Sequence, residues 1–107
     1  MEISNTIKTS YIIYTNNSEK YIERLLKSIL EQIDETKEQL IIVDDLSEDK
    51  TVPLIVNTIG LNFTDEEHYK FYINEFKKGK KASVEMAKKI AIGDFKFIIN
   101  KKKAIKI

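Results

Sequence analysis

Four short apolar runs alternate with three helix-length segments along this chain, and this alternation is the strongest constraint on its fold. The runs cover residues 10–15, 40–43, 69–76 and 95–99. They are rich in isoleucine, valine, tyrosine and phenylalanine, which favour β-strands. The second and fourth runs have the apolar character of strands that are buried on both faces. Strands that alternate with helices predict an α/β domain with a parallel sheet and right-handed crossovers.

The helical segments are predicted at about residues 19–33, 50–59 and 81–92. The first has the clearest pattern, because its isoleucine and leucine side chains recur at helical spacing along one face. Ser18 is the predicted N-cap of the first helix and Asp49 that of the second. Gly60 and Gly93 are predicted to end the second and third helices.

The composition fits a soluble globular domain and excludes several classes of function. At 107 residues the chain is long enough for one domain. Its 18 basic and 17 acidic residues nearly cancel, whereas a general nucleic-acid binder carries a clear basic excess. The absence of cysteine excludes disulfides, thiolate metal ligands and a thiol nucleophile. With no signal-peptide pattern and no apolar run of membrane-spanning length, we predict a soluble cytoplasmic protein.

Polar and charged residues follow each of the four predicted strands, at the ends where open parallel sheets bind ligands. These segments are residues 15–17, 44–49, 77–81 and 100–103. The sharpest feature is the pair Asp44 and Asp45, because adjacent carboxylates disfavour each other's ionisation and can accept hydrogen bonds from a ligand. The alternative is structural, with Asp45 and Ser47 organising a turn. The only histidine, His68, precedes a strand and is predicted to lie on the surface rather than to bind a ligand.

Three motifs follow one another along the chain. Residues 10–17 read Ser-Tyr-Ile-Ile-Tyr-Thr-Asn-Asn, residues 41–51 read Ile-Ile-Val-Asp-Asp-Leu-Ser-Glu-Asp-Lys-Thr, and residues 79–95 end in Gly-Asp-Phe. In this order and spacing they resemble family 2 glycosyltransferases of the GT-A fold, whose second-strand motif reads Asp-Asp-x-Ser-x-Asp-x-Thr. The resemblance extends over about residues 10–100.

The resemblance implies a Rossmann-like GT-A half-domain. Its expected architecture is a parallel sheet of about four strands in the order 3-2-1-4, with helices on both faces. Residues 1–107 would form a single nucleotide-binding domain that is truncated relative to the family.

The same resemblance implies a site for a nucleotide-diphosphate sugar of the UDP type. The implied nucleotide-binding residues are Tyr14, Thr15, Asn17, Asp44, Asp45 and Gly79. Asp45 occupies the position that hydrogen-bonds the nucleotide base in the family. Tyr14, Thr15 and Asn17 would line the uridine pocket, and Gly79 would lie in the loop that approaches the sugar.

Departures from the family pattern bear on metal binding. At the end of the fourth strand, the family's Asp-x-Asp motif is replaced by Asn-Lys-Lys at residues 100–102. Mg²⁺ and Mn²⁺ prefer carboxylate oxygens, so the cation expected for the family lacks its usual ligands and no metal site is predicted. The family's Pro-x-Tyr-Asn signature is here Tyr-Thr-Asn-Asn at residues 14–17.

The implied function is a glycosyltransferase-like domain of the hexosyltransferase type, and whether this chain is an enzyme stays open at this point. The acceptor half of the family domain has no counterpart in the sequence, so no catalytic residue is nominated. The alternative is a non-catalytic protein-interaction module that retains the half-fold. In the order 3-2-1-4 the third helix alone covers one sheet face, and bare apolar surface there would favour a homo-oligomer or a partner protein. A phosphoacceptor receiver domain is rejected, because its acidic pair follows the first strand and no fifth strand is predicted here.

Seven lysines lie at or near the predicted ligand end: Lys77, Lys78, Lys80, Lys81 and residues 101–103. One hypothesis is that they neutralise a bound diphosphate in place of a metal ion. The motivating observation is that positive charge occurs where the family has metal-binding carboxylates. The alternative is a solvated basic loop and tail, which is the more common role of a charge run.

Overall fold

The computed structural model describes residues 7–60 and 67–100 with their side chains, and the backbone of residues 103–106. Strands and helices alternate through the described chain. They are β1 (Thr9–Thr15), α1 (Ile22–Gln32), β2 (Glu38–Asp44), α2 (Thr51–Ile59), β3 (Tyr69–Ile73), α3 (Lys80–Ile90), β4 (Phe95–Asn100) and β5 (Lys103–Lys106). The longest of these helices has 11 residues, and none in the described segments has the length and apolarity needed to cross a membrane.

The sheet has the order β3-β2-β1-β4-β5, and its first four strands are parallel. The predicted order 3-2-1-4 and the parallel α/β architecture are therefore confirmed. The expectation that no fifth strand exists was wrong, because β5 pairs antiparallel with β4 from Phe97–Lys106 to Asn100–Lys103. Only two residues separate the paired Asn100 and Lys103, and so short a connection joins antiparallel strands only.

Each sheet face has its own hydrophobic core, because successive side chains of a strand point to opposite faces. Helices α1 and α2 cover one face, where Ile13 and Ile42 pack with Leu26 and Ile55. Helix α3 covers the other face, where its Ala87 packs with residues such as Ile41. The prediction of helices on both faces is confirmed, and the fully buried run of β2 fits a strand with a core on each side.

The start of α1 differs from the prediction that Ser18 is its N-cap. The helix begins at Ile22, and the cap position is Tyr21, without a side-chain cap. The Ser18 hydroxyl oxygen instead accepts hydrogen bonds from the Asn16 amide at 3.2 Å and the Tyr21 hydroxyl at 3.1 Å. Its carbonyl oxygen accepts from the Tyr21 and Ile22 amides. Ser18 therefore shapes the turn before the helix, and the helix starts later than predicted.

Glycine at position 93 has a packing role that differs from the predicted helix end. Helix α3 ends at Ile90, with Ala91 at the C-cap position. A Cβ atom on Gly93 would lie 2.7 Å from the backbone nitrogen of Ser10, and the Gly93 amide donates to the Ser10 hydroxyl oxygen at 2.9 Å. The absence of a side chain therefore lets the segment before β4 approach β1 closely.

Candidate functional site

The carboxyl ends of β1, β2 and β3 meet at one edge of the sheet. Thr15 is level with Asp44, and Asp44 is level with Ile73. Beyond these pairs, the Asp45 amide donates to the Thr15 carbonyl and the Asn74 amide donates to the Asp44 carbonyl, both at 2.9 Å. The polar residues that follow the three strands are therefore brought together, as their spacing in the sequence predicted.

Asp45 is the centre of this edge and is only 3% exposed. Its Oδ1 atom accepts hydrogen bonds from the Asn74 side-chain amide at 3.0 Å and the Lys78 backbone amide at 2.9 Å. Its Oδ2 atom accepts from the Tyr14 hydroxyl at 2.8 Å and the Gly79 backbone amide at 2.9 Å. A carboxylate has about four acceptor positions, so internal donors fill the acceptor capacity of Asp45.

These hydrogen bonds determine the protonation of both partners. Burial alone would raise the pKa of Asp45, but the hydrogen bonds from Asn74, the Lys78 amide, Tyr14 and the Gly79 amide lower it to about 2. Burial and the hydrogen bond to Asp45 raise the pKa of Tyr14 to about 12. At neutral pH the site therefore holds a fixed negative charge on Asp45 and a hydroxyl donor on Tyr14.

Asp44 belongs to a separate hydrogen-bond cluster on the other sheet face. Its carboxylate accepts hydrogen bonds from the Thr15 hydroxyl at 2.7 Å, the Ser47 amide at 2.8 Å and the Ser47 hydroxyl at 2.5 Å. The turn after β2 is therefore organised by Asp44 and Ser47, and the alternative that assigned it to Asp45 was wrong in that residue. Because adjacent residues of a strand point in opposite directions, the two carboxylates do not share a site.

Asn17 connects the loop after β1 to the loop after β2. Its backbone amide donates to the Ser47 hydroxyl oxygen at 2.8 Å, and its side-chain oxygen accepts from the Glu48 amide at 2.8 Å. The residue has a φ angle of 52°, a left-handed conformation that asparagine tolerates better than most residues. Asn17 is exposed at the rim of the edge.

The six residues predicted from the resemblance thus lie at the same edge of the sheet. The sequence also predicted that the segment after the fourth strand, which begins at Asn100, lies at this ligand-binding end of the sheet. The β1–β4 pairing ends at Ile12–Ile98, and continuing this register places Asn100 level with Tyr14. Asn100 is therefore on the neighbouring strand, but it is exposed and pairs with Lys103 of β5, and no described contact joins it to Asp45.

Asn74 is a site residue that the sequence reasoning missed. Its side-chain amide donates both to Asp45 and to the Ser83 hydroxyl of α3 at 2.9 Å, and Asn74 is 5% exposed. The third strand was predicted to run to residue 76, which placed Asn74 inside it, whereas β3 ends at Ile73. The sequence did contain a signal, because asparagine is uncommon within strands and Asn74 interrupts the apolar run. It could have indicated that the strand ends before this residue.

The described residues do not fit a divalent cation. The Asp45 carboxylate is occupied by four donors, and the Asp44 carboxylate is turned to the other face. Among the residues placed with their side chains, no group of three or more His, Cys, Asp or Glu residues could hold a metal ion. Asn100 contributes an amide, and residues 101 and 102, which complete the replaced Asp-x-Asp motif, lie outside the described residues.

The fold and the site define a Rossmann-like α/β domain whose polar network lies over the carboxyl ends of its parallel strands. The model of glycosyl transferase family 2 matches residues 10–101 of the chain. The chain belongs to this family. A comparison with curated proteins finds no match.

Solved structures with a similar fold are GT-A glycosyltransferases. Residues 1–349 of S. aureus TarS in complex with UDP match with a TM-score of 0.73 and 29% identity, over 89% of this chain and 27% of that chain. The same protein in complex with UDP-GlcNAc matches with a TM-score of 0.65 and 29% identity, over 87% of this chain and 26% of that chain. The chain thus spans about a quarter of the TarS 1–349 chain and corresponds to the N-terminal half of the GT-A fold.

A third structure shows the same fold at lower identity. It is the mannosyltransferase PcManGT of Pyrobaculum calidifontis in complex with GDP-Man and Mn²⁺. The match has a TM-score of 0.71 and 22% identity, over 89% of this chain and 27% of that chain. At this identity the similarity supports the fold alone.

Proposed function

We propose that this domain binds the nucleotide part of a UDP-type nucleotide sugar at the carboxyl edge of its sheet. The observation that carries the proposal is the network in which Asp45 joins Tyr14, Asn74 and the Gly79 amide. The network lies at the edge where parallel sheets bind ligands. The similarity to the UDP complex of TarS supports the choice of nucleotide.

In this proposal the base binds by exchanging hydrogen bonds with the network. Asp45 is ionised, so it offers only acceptors, and the N3–H group of uracil is a donor that matches them. Of the two side chains that donate to Asp45, Tyr14 is half-buried and Asn74 is buried. The base would therefore displace the Tyr14 hydroxyl. Once displaced, that hydroxyl is free to bond a carbonyl oxygen of the base.

Gly79 would leave room for the remainder of the nucleotide. Its φ angle is 87°, a conformation that side chains rarely adopt, and a Cβ atom built there would meet nothing within 4 Å. The backbone at the start of α3 is therefore open to a ligand. The proposal is limited to nucleotide binding, because no group of three or more His, Cys, Asp or Glu residues in the described part of the chain could hold the metal ion expected for the family.

Calorimetric titration with UDP, GDP and uridine tests the proposal. We expect saturable binding of UDP and uridine with a Kd of about 1 mM or tighter, and weaker binding of GDP. Asp45→Asn should weaken uridine binding strongly, because the amide presents a donor in place of one of the two acceptor oxygens. Asp94→Asn is the matched control, since Asp94 is exposed just before β4 and so lies at the amino ends of the parallel strands, away from the candidate site.

Two results would contradict the proposal: no saturable binding of UDP or uridine by the unmodified chain, or equal affinities for the Asp45 and Asp94 variants. Circular dichroism of each variant separates lost binding from lost folding. Asn17→Ala is a second variant on the exposed rim and should weaken uridine binding in a chain that stays folded.

A non-catalytic interaction module is the second candidate, and one observation favours it. Tyr72 and Ile73 end the edge strand β3, and Phe76 lies three residues beyond it; the three side chains are 39%, 48% and 62% exposed. Exposed apolar groups near the edge strand of a sheet are typical of protein contacts. Light scattering should then show a dimer that Phe76→Ser dissociates. If the chain is a monomer at all concentrations and binds UDP, the interaction module is contradicted and nucleotide binding is supported.

A further inference from the structure

We infer that the diphosphate of the nucleotide is held by the lysine side chains at the start of α3, chiefly Lys80 and Lys81, without a divalent cation. This inference rests on the proposed nucleotide site and assigns the group that would neutralise its phosphates.

The lysine segment passes over the ends of the strands. The amides of Lys78 and Gly79 both donate to the Asp45 carboxylate at 2.9 Å, which fixes this backbone beside the centre of the network. Lys80 and Lys81 come next and form the first turn of α3. A diphosphate attached to a nucleoside at Asp45 would therefore lie within reach of their side chains.

Lys80 and Lys81 also face β4. Together with Val84, Glu85 and Ile98 they line an open groove of about 410 Å³ between α3 and β4. Ile98 is two residues before Asn100, the position at which the family's metal motif begins. The two lysines thus line one side of a groove whose opposite wall is formed by β4.

The positive charge of the segment is not neutralised within the described residues. The salt bridges there join Lys27 to Glu23 and Lys88 to Glu85, and neither involves a lysine of residues 77–81. The first turn of α3 contains no acidic residue. Glu85, the one carboxylate of the groove, is engaged by Lys88 at 3.4 Å.

The placement of these lysines is unfavourable for the helix itself. Cations near a helix N-terminus interact unfavourably with the helix dipole, whereas cations in the last turn interact favourably. Lys88 and Lys89 occupy the favourable last turn of the same helix. A bound diphosphate would convert the unfavourable cluster into a set of charge-assisted hydrogen bonds.

Titration of uridine, UMP and UDP into the full chain, with EDTA and separately with Mn²⁺, tests the inference. UDP should bind at least about tenfold more tightly than uridine, and its affinity should be the same in EDTA as in Mn²⁺. The double variant Lys80→Gln/Lys81→Gln should weaken UDP about three- to tenfold while uridine binds as before. Lys88→Gln/Lys89→Gln, with the same charge change on the same helix, should leave both affinities unchanged.

The inference is overturned if uridine binds but UDP binds no more tightly, if UDP requires Mn²⁺, or if the two double variants weaken UDP equally. Failure of the nucleotide site itself has a different signature. In that case neither uridine nor UDP binds, whether EDTA or Mn²⁺ is present.

Discussion

At the scale of single residues, the two adjacent aspartates have different tasks because a strand directs them to opposite faces. Asp44 ties the loop after β2 to β1 through Ser47 and Thr15. Asp45 ties the start of α3 to β1 through the Gly79 amide and Tyr14. The two carboxyl groups are therefore held apart, and each holds a different loop of the candidate site.

Replacing Asp45 by asparagine should lower the free energy of unfolding at pH 7 by about 1–3 kcal/mol, because buried donors lose a charged acceptor. The pKa of Asp45 in the folded state, about 2, lies below its ordinary value of 3.8. Its stabilisation is therefore complete above about pH 5 and is lost progressively as the pH falls through 4 towards 2. Urea unfolding between pH 7 and pH 2 should show this loss in the unmodified chain and a smaller one in Asp45→Asn. An acid dependence that Asp45→Asn leaves unchanged would contradict the assignment.

The Tyr14 hydroxyl offers a milder test of the same network. Tyr14→Phe removes one of four donors to the carboxylate and should lower the free energy of unfolding by about 1–2 kcal/mol. Tyr72→Phe is the matched control, because Tyr72 is 39% exposed and should lose less than about 0.5 kcal/mol. Equal losses in the two variants, measured by urea unfolding at pH 7, would show that the bond to Asp45 is not stabilising.

The sequence could predict which residues of the site lie together, but not which hydrogen bonds they form. Thr15, Asn17 and Asp45 could be placed together because they end neighbouring parallel strands, a consequence of topology. Which groups they bond depends on where each strand ends and which way each side chain points. The third strand was predicted three residues too long, so Asn74 was taken to lie inside it. The sequence also does not show which of the two adjacent aspartates faces the turn, and the turn was therefore assigned to Asp45 instead of Asp44.

At the scale of elements, apolar periodicity located the helices while loop hydrogen bonds determined their ends. The stripe of α1 was visible in the sequence, yet Ser18 bonds within the preceding turn and the helix begins only at Ile22. Asp49 precedes the cap position of α2, but its carboxylate accepts from the Thr51 amide at 2.9 Å. Strand β5 was missed because it is only four residues long, and its sequence, Lys-Ala-Ile-Lys, resembles a solvated basic tail.

The contact between the segment before β4 and strand β1 predicts a large effect of one methyl group. Gly93→Ala would place a Cβ atom 2.7 Å from the backbone of Ser10, so the backbone must shift, at about 2–3 kcal/mol. Asp94→Ala is the comparison, because Asp94 is the exposed neighbour of Gly93 in the same segment and its substitution should change the stability by less than about 0.5 kcal/mol. Thermal unfolding should rank Gly93→Ala as the less stable variant, and equal stabilities would contradict the packing role of Gly93.

At the scale of the whole molecule, the charge distribution matters more than the total charge. The 18 basic and 17 acidic residues leave a net charge of +1, so the molecule has almost no overall attraction for an anion. Any electrostatic contribution to UDP binding must therefore come from a local arrangement such as the start of α3. Interactions of this kind act over about a Debye length, which is roughly 10 Å at 0.1 M salt.

The local positive charge at the start of α3 predicts how salt changes the affinities for UDP and uridine. Raising sodium chloride from about 0.05 M to about 0.5 M should weaken UDP binding several-fold, because the phosphates and the exposed lysines are screened from each other. Uridine carries no phosphate, so its affinity should stay nearly constant. In Lys80→Gln/Lys81→Gln the dependence for UDP should become shallower, whereas Lys88→Gln/Lys89→Gln should keep the dependence of the unmodified chain. An equal dependence in both double variants would place the electrostatic contribution elsewhere on the surface, because the variants share the same net charge and differ only in which end of α3 has lost it.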